Sequence, residues 1–212
     1  MRMDVVGACS DLLIRQSGVV DRQQALRVGV PPDVIDGLLR TGRWQRMEQG
    51  VYATFSGQPD RDARLWAVVL RAGPGAMLSH RTAAGLSGLI EYPGEPVHVI
   101  VPRDRCPRRM PGVIIHRFDR PRNARHPVLL PPRTRIEETV LDLVAAARNS
   151  DEAFGWVFRT IGQRLTTAER LRRAMSAHDK MRWRRELIAC LDDAGAGVQS
   201  NLEHRYVLAV ER

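Results

Sequence analysis

Six histidines (80, 98, 116, 126, 178 and 204), three cysteines (9, 106 and 190) and the neighbour pair Ser79-His80 are the first residues to test for chemistry. His98 and His116 sit in two β-branched runs and could face each other across paired strands, with His80 nearby on a helix. Neither HxxxH nor CxxC spacing accompanies them, so satisfied or solvent-facing histidines are expected and no metal. Neighbours on one helix point about 100° apart, which argues against Ser79 and His80 acting as nucleophile and base. GxSxG, P-loop, GxGxxG and HExxH motifs are absent. The sequence therefore predicts neither an enzyme nor a cofactor site.

Charge says more. The 212 residues carry a net charge of +9, and all but one of the 33 cations are Arg. Arg is suited to bidentate phosphate contacts, so an anionic partner is expected, with nucleic acid first. The excess is uneven. Residues 1–60 hold seven Arg and seven acids, whereas residues 103–125 hold eight Arg against two Asp, and residues 159–186 nine cations against three acids. Each of the two later stretches is therefore +6. Scattered cysteines suit a reducing compartment, and no apolar run approaches the roughly 20 residues that span a bilayer. A cytoplasmic protein with no membrane partner is expected.

The elements that position these charges begin at Val19. Asp21 precedes a helical run (Ala25, Leu26, Val28) and can cap it, and Gly29 ends it. Val30-Pro31-Pro32 turns the chain into a second helix with Ile35, Leu38 and Leu39 on one stripe, stopped by Gly42. RWQRMEQGVYAT then reads as two strands around a Glu-Gln-Gly turn. With an opening helix at 4–17, this is the order of a winged helix-turn-helix. Its second helix exposes Asp33 and Asp36, which phosphate repels, so a phosphate grip is expected at Arg40, Arg43 and Arg46. Trp44, at the wing entry, is expected in the core.

Ser56 to Asp60 reads as a linker. An amphipathic helix at 61–72 follows, then one capped by Ser79, two strands at 96–102 and 112–118, and a short strand at 127–132. Between the strands, the Pro-punctuated loop RDRCPRRMP can reach out as a second wing or a minor-groove arm. Thr134 opens a helix that buries Ile136, Val140, Leu143 and Val144 and leaves Glu137, Glu138 and Asp142 on a solvated face. Helices at 151–164, 166–178 and 181–193 complete the chain before a last one, NLEHRYVLAVER; Thr166 or Thr167 with Glu169 has the form of a capping box. The expected class is α+β: a winged helix-turn-helix at 1–56, then a mixed α/β domain at 61–195 with a small sheet and a helical C-terminal half. Residues 196–212 form a terminal segment. The expected DNA contacts are Arg22, Gln23, Arg40, Thr41, Arg43 and Arg46 in the winged segment and Arg103, Arg105, Arg108 and Arg109 in the loop.

GVVDRQQALRVGV, TGRWQRMEQGVYAT, AVVLRAGPGAMLSHRTAAGLSGL, VHVIVPR with PGVIIHR, and a TVLDLV helix occur together in this order. The chain thereby resembles actinobacterial members of the AbiEi-type antitoxin family over nearly its full length. The resemblance falls on Arg43, Trp44, Gly50, Val51 and Tyr52 in the wing and on Ser79, His80, Ala83 and Ala84 beyond it. It implies a regulator that binds double-stranded DNA and represses its own toxin–antitoxin operon, with a cognate toxin as partner and a homodimer on an inverted repeat as one arrangement. Relatives place several basic residues on the second helix of the motif; PPDVIDGLLRTG does not. The tail, GVQSNLEHRYVLAVER, resembles the helix that opens a very-short-patch-repair-like endonuclease domain, with Glu203 matching a glutamate near the metal site. The Asp and Glu-x-Lys ligands of such a site are missing. The alternative reading is therefore the DNA-targeting portion of a nuclease-like protein whose catalytic domain is absent.

Overall fold

Gly29 and Gly42, at φ +87° and +69°, turn the chain on either side of the second of two closely spaced helices. A computed structural model describes residues 5–118, 123–178 and 181–195. The fold is α+β, with two three-stranded sheets among the described residues. Asp21 caps as expected: its carboxylate accepts the Gln24 N–H at 2.8 Å, and the Gln24 side chain accepts the Asp21 N–H at 3.0 Å. This reciprocal box opens α2 (Arg22–Arg27), which follows α1 (Val5–Arg15). Pro32 then starts α3 (Pro32–Arg40).

The first strand departs from the sequence expectation. Val19–Asp21 is β1, and it pairs with β3 (Val51–Ala53), Val20 opposite Tyr52; β2 (Gln45–Glu48) lies on the other side of β3. Two valines before a cap read locally as a helix approach, and only the distant partner makes them a strand. The order helix, strand, two helices and hairpin, with sheet order β1-β3-β2, is that of a winged helix. Its core is Val20, Ala25, Val30, Ile35, Trp44 and Tyr52, with Leu12, Leu13, Leu38 and Leu39 against it. Trp44 is buried here, its ring 6.1 Å from that of Tyr52.

Helix α4 (Arg61–Ala72), capped by Asp60, packs on β1, β2 and β3. The compact units therefore do not part at 56–61. One unit comprises 1–78, 99–119 and 127–133; the other comprises 79–98, 120–126 and 134–212. The second sheet begins with β4 (Met77–Leu78), with Met77 opposite Ile100 and Leu78 opposite Val99 of β5 (Val97–Val101), and ends with β6 (Val113–Arg117). Residues 127–132 form no strand. Pro127, Pro131 and Pro132 have no N–H to give a ladder, and the segment contributes a bond from the Leu78 N–H to the Pro132 carbonyl.

The second unit is built on α6 (Ile136–Ala146), which packs against α5 (His80–Leu86), α7 (Ser150–Gly162) and α8 (Ala168–Met175). α9 (Arg184–Gly195) packs on α8. Val140, Val144, Trp156, Leu171 and Leu187 are core residues there. Thr134 does not cap α6; its hydroxyl meets that of Thr139 at 2.6 Å, and Arg135 holds the cap position. Thr167 caps α8 alone, because N3 is Arg170 and not an acid. The terminal helix and Glu203 lie outside the described residues.

Candidate nucleic-acid interface

Helix α3 presents Asp33 and Asp36 to solvent, and Asp36 approaches Arg22 of α2 at 3.9 Å. That pair turns Arg22 toward its own protein. Thr41 is likewise engaged, its hydroxyl donating to the carbonyls of Gly37 at 2.9 Å and Leu38 at 3.2 Å. Gln23 is exposed. Arg40, at the end of α3, Arg43 beyond it and Arg46 on β2 are all exposed, and none makes an ion pair or side-chain hydrogen bond among the described residues. Arg46 lies opposite Tyr52, next to a register shift between Arg46 and Glu48, an irregularity of the kind that re-aims side chains along a strand.

The wing is held at its tip. The Arg22 N–H donates to the Gly50 carbonyl at 2.9 Å, and Arg71 of α4 donates to the Gln49 side chain at 3.1 Å. Beside Gln49 opens a groove of about 710 Å³, walled by Arg71, Gly73, Asp104, Arg105 and Arg108. The wing tip and the basic loop, two separate expectations from the sequence, thus share one surface of the first unit. Arg103 and Arg109 are exposed on the same loop. Gln49 and Arg71 are additions that the sequence does not single out. Nothing in the spacing of Arg71, the last cation of an amphipathic helix, distinguishes it from a solvated one.

The other basic stretch is different. Within the second unit, Arg170 pairs with Glu137 at 2.9 Å, Arg173 with Glu169 at 2.7 Å, and Arg172 with Asp192. Arg182 donates to the Ala147 carbonyl and Arg184 to those of Met175 and His178. Glu137 and Asp192 lie outside 159–186, so the +6 of that stretch overstates the charge it shows to a ligand. A cleft of about 300 Å³ at the start of α6 is lined by Arg135, Arg170, Arg173, Glu137 and Glu138, cations and carboxylates together.

The acids of α6 are not solvated. Glu137, Glu138 and Asp142 are 6%, 5% and 3% exposed. Glu137 accepts from the Thr166 hydroxyl at 2.7 Å as well as from Arg170, and Glu138 meets His178 at 2.9 Å. Their partners come from 29 to 40 residues away, beyond any local pattern.

Asp142 stands 3.9 Å from Nδ1 of His80, and Ser79 Oγ lies 2.9 Å from the same nitrogen. Ser79 and His80 do meet, contrary to the helical-neighbour argument, because Ser79 is extended and His80 takes a left-handed φ of +48°. Ser79 consequently makes no side-chain cap bond to α5. The trio is not arranged as a nucleophile with its relay. Serine and carboxylate must approach opposite ring nitrogens, and here both approach Nδ1, with Ser79 fully buried. His98 stacks on His80 with ring centroids 5.3 Å apart, and burial, with Arg81 nearby, pushes its pKa down.

No family model matches this chain, and no curated sequence matches it. Among solved structures it is similar to the RV2827C protein from Mycobacterium tuberculosis, at 18% identity and a TM-score of 0.52, covering 96% of this chain and 80% of that one. At that identity the likeness concerns the fold alone. No helix among the described residues is long and apolar enough to cross a membrane.

Proposed function

We propose that the chain binds double-stranded DNA through its winged-helix elements and acts as a transcriptional regulator. The observation that carries the reading is the set of exposed cations without protein partners at the end of α3, on the wing and on the loop that follows β5. Like charges gathered with few counter-charges favour a polyanion, and the arginine fork matches phosphate geometry. The resemblance to AbiEi-type antitoxins supports the finer reading of an autorepressor of a toxin–antitoxin operon. In this reading the acidic face of α3 contributes little to the grip, and the wing and loop set the register on the duplex.

A mobility-shift titration with the gene's own upstream region and with random duplex, across salt concentrations, tests it. Replacing Arg105, Arg108 and Arg109 by Ala should weaken both complexes and flatten log K against log salt by about 0.9 for each phosphate that is no longer neutralised. Replacing Arg40 and Arg43 should instead reduce the preference for the upstream region. Absence of binding to either duplex at low salt refutes the proposal.

A further inference from the structure

Arg71, Arg105 and Arg108 wall one groove, with Asp104 as the carboxylate among them. Three guanidinium groups brought together at the surface repel one another, and the fold orients one of them. Arg71 is half-buried and steered by its bond to Gln49. Arg105 lies across Gly73 so closely that a Cβ there would meet its Nη1 at 2.9 Å. Gly73 has φ +96°, a region that side chains rarely adopt, so the backbone at that position calls for glycine. The loop begins with a turn, the Arg105 N–H donating to the Pro102 carbonyl at 3.0 Å, and Arg117 of β6 donates to the Cys106 sulfur at 3.7 Å.

A groove that gathers three guanidinium groups around one carboxylate favours an anion. From this we infer that the groove is a phosphate socket, in which Arg71, Arg105 and Arg108 grip one phosphate group and the Gln49 side chain aligns Arg71. The inference rests on the DNA-binding reading for its favoured source of phosphate. The socket opens at the wing tip, where a duplex lying along the wing would bring a backbone phosphodiester. A free phosphate ester carries the same chemistry and could occupy the same place.

The test uses the full chain without DNA first. Inorganic phosphate is titrated against chloride at equal ionic strength, and the arginine Nε–Hε signals are followed by heteronuclear NMR. Phosphate should shift the Arg71 and Arg105 signals. Arg71→Gln and Arg105→Gln should each weaken phosphate binding about tenfold or more, as expected for loss of a charge-assisted bond. Arg105 is at an exposed loop position, so its variant remains informative if the Arg71 variant is poorly folded. The double variant should lose less than the product of the two single effects, because both residues serve one group. Random duplex is then added. If it displaces the phosphate, the socket holds a DNA phosphodiester. If the duplex binds and the phosphate stays, the socket stands but its ligand is a free phosphate ester. If the duplex does not bind at all, the DNA reading fails while the socket stands. Equal response to phosphate and chloride, or shifts that survive in both single variants, overturns the socket.

Discussion

Replacing Glu137 by alanine removes the carboxylate that joins α6 to the start of α8, and the structure allows the cost to be worked out. The Thr166 hydroxyl, 4% exposed, would lose its acceptor at 2.7 Å. A buried hydroxyl left in that state costs about 1–3 kcal/mol. The ion pair to Arg170 adds little, because that guanidinium is 57% exposed and can turn to solvent, so about 0.5 kcal/mol is a fair allowance. The expected loss for Glu137→Ala is therefore about 1.5–3.5 kcal/mol. Glu137→Gln keeps a side-chain oxygen for Thr166 and should cost about 1 kcal/mol less. Thr166→Val, which removes the donor, should make Glu137→Ala cheaper in its background than in the wild type. Urea denaturation reports the four variants and the wild type, and an unchanged m-value would show that the comparison concerns stability alone. If Glu137→Ala stays within about 0.5 kcal/mol of wild type, as a surface substitution does, the carboxylate is solvated and the reasoning fails.

Trp44→Ala should destabilise by about 3–5 kcal/mol, since it opens a hole beside Tyr52 in a core of few large side chains; an unchanged melting temperature with DNA binding abolished would make Trp44 a DNA-touching residue instead. Asp21→Ala should cost about 1 kcal/mol in chemical denaturation, because its carboxylate holds the Gln24 N–H at the start of α2; an unchanged denaturation midpoint would contradict that. His98 has a folded pKa below its ordinary 6.5, so the unfolded chain takes up the proton first. Its contribution is complete above pH about 6.5 and falls as the pH drops through the folded value. His98→Gln should flatten that part of a stability–pH curve measured between pH 8 and 5, and a curve of unchanged slope would count against it.

The parts of the fold legible in the sequence are those decided locally. Asp21 as a cap, the stop at Gly29, the Pro32 start and the Gly42 stop are each fixed by a residue's own backbone chemistry, and α2, α3 and the wing follow from them. What stays hidden depends on partners far along the chain. Val19 and Val20 become a strand only because Tyr52 returns beside them. Adjacent glutamates on α6 have the pattern of a wet helix face, and nothing near them announces Thr166, Arg170 or His178. The same holds at the candidate interface. The Arg of the loop after β5 can be picked out by density of charge, but their neighbours Gln49 and Arg71 cannot, since one sits in a turn and the other at a helix end like many others. Ser79 and His80 mislead for a different reason: neighbours on a regular helix would point apart, but Ser79 is extended and His80 takes a left-handed φ of +48°.

The interleaving of the two compact units has a consequence for how the protein is made. The first unit takes its last segment from 127–133, after residues 79–98 have gone to the other unit. As the chain leaves the ribosome, its first 60 residues can form α1 to α3 and the hairpin, but β4 must wait for β5, and Leu78 for Pro132. Unlike successive domains that fold one after another, neither unit can therefore be completed before the other has begun. A fragment ending at 56 or 78 would lack the loop that carries Arg105 and Arg108, and with it half of the groove beside the wing. Swapping the winged segment into another protein at the 56–60 turn would transplant the helices and leave the groove behind.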